Sequence, residues 1–222
     1  SGIAIPSTVP NETVEGIAIP DVPDCNIPVV ADMSSCLLSM PVDVTKYGLI
    51  YAGSHKNIGP AGMTVVIVRK DLIQKTLPAT PGLYSYELQA QAHSLFNTPP
   101  SFSWYVAGLV FKWLLKQGGL KEMEKHNLEK ARLLYEYIDQ SGLYRNEIPK
   151  ACRSITNVTF QLKSQGFAAG FLKESKARGL LNLKGHRSIG GLRASLYNAI
   201  PIEAVKALIQ FMKEFENQCL KN

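Results

Sequence analysis

The 222 residues contain no apolar run approaching the roughly 18 residues that a bilayer-crossing helix needs. Cysteine is scarce. Cys25, Cys36, Cys152 and Cys219 stand far apart and form neither a CxxC metal pair nor a disulfide framework. Charge of one sign is not concentrated either. The net charge is +6, but the basic residues are scattered, so nucleic-acid binding is not the first inference. SGIAIPSTVP shows no basic stretch before a long apolar core, so no secretory leader is read there. Charged residues make up 19% and apolar residues 45%, a globular balance rather than a disordered or fibrous one. A reduced, cytoplasmic enzyme with no bound metal, membrane or nucleic-acid partner is the expectation.

Three short apolar runs mark the first half: IPVVAD (27–32), YGLIYAGS (47–54) and GMTVVIVRK (62–70). They are β-branched and separated by turn residues, which predicts strands. Runs this apolar suit strands buried on both faces of an α/β sheet. Between the second and third, GSHKNIGPAG carries Gly53, Gly59, Pro60 and Gly62 and reads as a tight connection. Residues 71–100 read as irregular. From Ser101 a helix begins that is apolar nearly all round and stops at Gly118-Gly119. That pattern predicts deep burial, with Trp104 and Trp113 as core. Beyond it the chain reads as an amphipathic helix, a strand over 154–162, a helix over 166–179, a strand over 189–197 and a helix over 201–218. Ile202, Val205, Leu208, Ile209, Met212 and Phe215 line one face of the last helix. Two domains are therefore expected, 1–119 and a smaller α/β sandwich at 120–222.

Lys56 lies in the Gly-rich connection between two strands, near a strand end, where ligands bind in α/β folds. A desolvated lysine there attacks carbonyls. On position alone, a solvated loop lysine is the better reading. Asp32 ends another apolar strand and precedes Met33-Ser34-Ser35. Alone it reads as a capping aspartate. The pair is more informative. A carboxylate at one strand end and a lysine 24 residues on, after the next strand, suit pyridoxal phosphate: the lysine takes the aldehyde and the aspartate keeps the ring nitrogen protonated.

Four segments, AD-MSS, YAGSHKNIGPAG, SLFNTPPSF and LKGHRSIGGLRASLYNA, resemble the phosphoserine aminotransferases, class-V enzymes of fold type I that use pyridoxal 5′-phosphate in serine biosynthesis. The resemblance is dispersed along nearly the whole chain. It implies part of the large cofactor domain followed by the small C-terminal domain. It implies that Lys56 is the Schiff-base lysine, that Asp32 pairs with the pyridine nitrogen, and that Thr13 contacts the ring-hydroxyl region. His55 stands where the family usually has glutamine as a phosphate ligand; an imidazole also donates a hydrogen bond. Asn97 and Thr98 match residues that reach the phosphate of a neighbouring subunit, which implies a homodimer with shared sites. Arg193 matches the arginine that grips the substrate α-carboxylate, and His186 and Arg187 match residues that help hold the side-chain phosphate or carboxylate across the dimer. A surface ion pair for each arginine and a backbone-bonded strand-entry role for His186 are the competing readings.

The implied reaction moves an amino group from glutamate to 3-phosphohydroxypyruvate, giving 2-oxoglutarate and O-phosphoserine. The same family serves pyridoxine synthesis in some bacteria. The resemblance starts inside the cofactor domain. The family's Gly-rich phosphate turn, its ring-stacking aromatic and further substrate arginines therefore have no counterpart here. A chain of this extent is expected to be weakly active or inactive alone, as a truncated product or proteolytic fragment. Another fold-type-I aminotransferase or desulfurase, or an inactive C-terminal remnant, stays open at this point.

Overall fold

In the computed structural model, which describes residues 6–19, 21–74 and 76–220, the strands and helices follow in this order. The first part holds β1 (Ser7–Thr8), β2 (Asn11–Glu12), β3 (Ile17–Ala18), β4 (Val30–Asp32), β5 (Leu49–Gly53) and β6 (Thr64–Val68). Next come α1 (Lys70–Ile73), α2 (Tyr86–Gln91), α3 (Ser101–Lys116) and α4 (Gly119–Gln140). The chain ends with β7 (Tyr144–Arg145), β8 (Asn157–Leu162), α5 (Ala168–Ala177), β9 (Leu192–Ser195) and α6 (Ile202–Cys219). These elements gather into two compact units: Ser1–Pro10 with Asp21–Gln117, and Asn11–Pro20 with Gly118–Asn222.

The first unit is built on a four-stranded sheet of order β1-β4-β5-β6. β1, β4 and β5 run parallel, and β6 returns antiparallel to β5. Strand alternation decides what is buried. Ala31, Ile50 and Ala52 face a core shared with Met33, Leu37, Ile58 and Ala107, whereas Tyr51 and its cross-strand partner Val66 are exposed. Burial on both faces, expected from the apolar runs, is therefore not found. β6 is an edge strand, and one face of the sheet is open among the described residues.

The helix α3 also departs from expectation. Only Ser103, Ala107 and Leu114 are buried, one narrow stripe. Ala107 packs on the backbone of Gly59, and the Ser103 hydroxyl donates to the Ala61 carbonyl at 2.8 Å. Phe102, Tyr105 and Leu115 are about 70% exposed (72%, 67% and 74%), and Trp104 and Trp113 are exposed rather than core. The stretch read as irregular contains the short helices α1 and α2. The second starts where the Ser85 hydroxyl accepts from the Leu88 N–H at 3.3 Å. Between α3 and α4 the chain breaks at Gly118, whose φ of +94° suits glycine.

The second unit holds an antiparallel sheet of order β7-β8-β9, the hairpin β2–β3, and helices α4, α5 and α6. Its core is closed. Val205, Leu208, Phe211, Met212 and Phe215 of α6 meet Leu134 and Ile138 of α4, and Val158, Phe160, Leu192 and Ala194 of the sheet. Phe171 of α5 is fully buried at the centre, with ring centroids 4.9 Å from Phe211, 5.3 Å from Phe215 and 5.9 Å from Tyr144. Two polar groups fasten the helices. The buried Lys130 ammonium donates to the carbonyls of Leu196, Tyr197 and Ile200 at 3.0–3.1 Å; burial lowers its pKa to about 8. The Glu216 carboxylate accepts from the Tyr137 hydroxyl at 2.5 Å, the Ser141 hydroxyl at 2.8 Å, and the N–H groups of Gly142 and Leu143 at 2.7 and 3.0 Å.

Phe171→Ala leaves a cavity inside the second unit and is expected to lower its unfolding free energy by about 3–5 kcal/mol. Urea unfolding followed by circular dichroism measures this. Burial raises the pKa of Glu216, but its four hydrogen bonds outweigh burial and hold it below the ordinary 4.5. Its folded-state pKa is depressed, so its contribution is full above the unfolded value and vanishes as pH falls through the folded one. Glu216→Gln is expected to be less stable than the parent at pH 7, with the gap closing as the pH drops below 4.5. Thermal melts across that range check the sign.

Candidate active site

Parallel pairing aligns the C-terminal ends of β4 and β5. Asp32 stands opposite Tyr51 in register, and Gly53 follows two residues on. The Asp32 carboxylate accepts from the Ser34 N–H at 2.9 Å, and the Tyr51 phenol shares its face of the sheet. Burial, then the Asp32 charge, pushes the Tyr51 phenol above its ordinary pKa. Ser34 also ties the two strand ends together, its hydroxyl accepting from the Gly53 N–H at 3.0 Å.

The connection after β5 is locked by its own hydrogen bonds. The Ser54 carbonyl accepts from the N–H groups of Lys56 and Gly59 at 2.9 and 2.7 Å, and the Ser54 hydroxyl donates to the Pro60 carbonyl at 2.5 Å. Asn57 and Ile58 are buried, and the Asn57 amide donates to the Leu37 carbonyl at 3.1 Å. Lys56 is thus half-buried between an exposed His55 and a buried anchor. The His55 ring lies against Gly53.

Cys36 lies in the turn after β4. Burial first, and the Asp32 carboxylate second, push its thiol up to about 12, while Lys56 pulls the other way. The placing of the carboxylate and the amine follows from the sheet: Asp32 ends β4, and Lys56 stands in the connection that leaves the neighbouring parallel strand β5. The arrangement fits a planar heterocycle bearing a ring nitrogen and an aldehyde: a fixed carboxylate for the first and a half-buried amine for the second. An apolar cleft of about 370 Å³ in the same unit is lined by Val30, Leu49 and Val68, and includes neither Asp32 nor Lys56. No group of His, Cys, Asp and Glu side chains among the described residues has the makings of a metal site.

The other predicted residues fall as follows. Asn97 and Thr98 are exposed in the segment leading to α3. Thr13 lies in the β2–β3 turn, where the Glu12 carboxylate accepts from the N–H groups of Val14 and Glu15. Arg193 of β9 reaches that turn, its Nη1 donating to the Thr13 carbonyl at 3.3 Å. His186 and Arg187 are exposed in the loop before β9. Nδ1 of His186 lies 2.7 Å from the Ser188 hydroxyl and accepts from the Ser188 N–H at 3.3 Å. The ring is thus bonded to the backbone, as the competing reading has it, and to a neighbouring hydroxyl as well.

Three contributors escaped the sequence reading: Tyr51, Cys36 and Asn57. Tyr51 carried a signal, because an aromatic hydroxyl one register step from Asp32 points to the same face. Cys36 and Asn57 carried none, since their roles depend on how the loop closes.

The chain is 45% identical to a phosphoserine aminotransferase from Bacillus circulans subsp. alkalophilus, with a TM-score of 0.93 over 96% of this chain and 59% of that one. It is 42% identical to the pyridoxal-phosphate-bound phosphoserine aminotransferase from Trichomonas vaginalis, with a TM-score of 0.89 over 93% of this chain and 59% of that one. An alanine–glyoxylate aminotransferase from Nostoc sp., at 16% identity and a TM-score of 0.79, shares the fold alone. The chain spans 59% of the length of the two phosphoserine enzymes. The family profile of class-V aminotransferases covers residues 7–208, with the strand-end carboxylate and the loop lysine both inside it, and the chain belongs to that family.

Proposed function

We propose that the chain serves a pyridoxal-phosphate-dependent phosphoserine aminotransferase, exchanging an amino group between glutamate and 3-phosphohydroxypyruvate. The observation that carries this is the placing of Asp32 at the end of β4 and Lys56 in the connection after the parallel strand β5, in a chain 42–45% identical to phosphoserine aminotransferases. When bound, the cofactor supplies an aldehyde for amines and a ring that withdraws electrons from the substrate Cα.

The chain's own groups have the following work. Asp32 accepts from the ring N–H and keeps that proton in place. The Ser34 N–H donates to Asp32 and fixes its direction. Lys56 supplies the amine that holds the aldehyde carbon. With the cofactor bound, the Lys56 amine freed by substrate would serve as the general base for the substrate Cα proton. Ser54 and Asn57 keep Lys56 aimed, since they hold the connection on either side of it. Thr13 serves the ring hydroxyl, and His55 donates to the phosphate. Arg193 offers its remaining N–H groups to the substrate α-carboxylate, while His186 Nε2 and Arg187 face its phosphate. Asn97 and Thr98 serve the phosphate of a second subunit, in a cytoplasmic homodimer. The same chemistry also suits a phosphorylated keto acid on the way to pyridoxine.

Mixing the 222-residue chain with pyridoxal phosphate, reducing with borohydride and mapping tryptic peptides by mass is expected to place the label on Lys56. Lys56→Ala should lose it; label on another lysine, or none, overturns the assignment. O-phosphoserine is expected to convert the bound aldehyde to the amine form at lower concentration than serine does, followed by visible absorption. A preference for plain serine would point to a different class-V substrate.

A further inference from the structure

The hairpin that carries Thr13 is fastened to the sheet that carries Arg193 by a chain of buried amides. Asn11, Ser154 and Asn157 are each less than 5% exposed. The Ser154 hydroxyl donates to Asn11 Oδ1, Asn11 Nδ2 donates to Asn157 Oδ1 at 2.9 Å, and Asn157 Nδ2 donates to the Tyr197 hydroxyl oxygen at 3.0 Å. Every link has one donor and one acceptor, so the chain has a single polarity and each amide a single orientation.

Two further ties hold the turn itself. The Thr159 hydroxyl donates to the Glu15 carbonyl at 2.6 Å, and the Ser154 N–H donates to the Gly16 carbonyl at 2.9 Å. The approach is close enough that a Cβ on Gly16, at φ +77°, would stand 2.5 Å from the Asn157 carbonyl. Thr159 is also the cross-strand partner of Arg193. Arg193 in turn rests Nη1 on the Thr13 carbonyl at 3.3 Å, a long bond that orients the guanidinium without saturating it.

We propose that Asn11 and Asn157 are positioning residues. By pinning the β2–β3 turn to β8 they hold the Thr13 carbonyl where it sets the plane of the Arg193 fork. Thr13 then acts through its carbonyl on the carboxylate-binding arginine and through its hydroxyl on the cofactor, so the two contacts are set by one rigid turn. A guanidinium held in one plane loses less freedom when it meets a carboxylate. The proposal deepens the preceding reading and rests on it for the identity of the carboxylate, but the pinning of Arg193 stands on these hydrogen bonds alone.

The test labels the full chain with phenylglyoxal and follows modification of Arg193 by peptide mass, with and without 2-oxoglutarate. Asn11→Ala removes the bonds of the first amide to Ser154 and Asn157. It is expected to speed labelling of Arg193 severalfold and to raise about tenfold the 2-oxoglutarate concentration needed for protection. Asn157→Ala removes the second amide and is expected to shift both readouts in the same direction as Asn11→Ala. Equal labelling rates for the parent and a folded Asn11→Ala overturn the proposal, as does a folded Asn157→Ala that labels like the parent. If Asn11→Ala fails to fold, Thr159→Val carries the test through the second tie, with faster labelling expected and an unchanged rate overturning. If 2-oxoglutarate fails to protect Arg193 in the parent, the carboxylate role of Arg193 fails, while the labelling rates still decide the pinning.

Discussion

Parallel pairing between two short strands is the constraint on which the first unit's chemistry depends. Neighbours in a parallel sheet finish at the same edge, so a residue ending β4 and a loop leaving β5 are neighbours although 24 residues separate Asp32 from Lys56. An antiparallel pairing of the same runs would send them to opposite edges. Ser34 then bonds the two strand ends directly, and Asn57 ties the lysine's connection back to Leu37. The lysine gains a fixed origin for its flexible stem, and the carboxylate is held in place by the Ser34 N–H.

The second unit uses a different device. Its proposed substrate-side residues lie on a short hairpin and on a strand and loop distant from it in sequence, and buried side-chain amides join the hairpin to the sheet. Such a network is strong when every member is satisfied, and it fixes one arrangement among the many that a two-residue strand pair would otherwise sample. The aromatic cluster around Phe171 serves the same end by packing. It keeps the helices and sheet in one registry, which the Glu216 and Lys130 contacts then fasten at the periphery.

Much of this was legible in the sequence, and the exceptions share a cause. The strand runs, the helix boundaries around Gly118 and the apolar face of α6 follow from periodicity, because each is a local property. Asp32 and Lys56 stood out because strand ends in α/β folds gather ligands. Burial was the weaker inference. An apolar α3 announces that its surface avoids water without saying that anything within these residues covers it, and only the stripe through Ala107 is covered. Tyr51, Cys36 and Asn57 were missed because their partners are set by register and loop closure. The grouping of β2–β3 with the second unit was equally hidden, since it is decided by Asn11, whose partners lie more than 140 residues away.

Lys130 carries a consequence for what evolution can place there. Its ammonium is a small, roughly tetrahedral donor whose three protons meet three main-chain oxygens. A guanidinium spreads its protons in a flat fan and cannot aim three of them into one such cup. Arginine, the usual conservative exchange for lysine, is therefore the wrong shape at this position even though it preserves the charge.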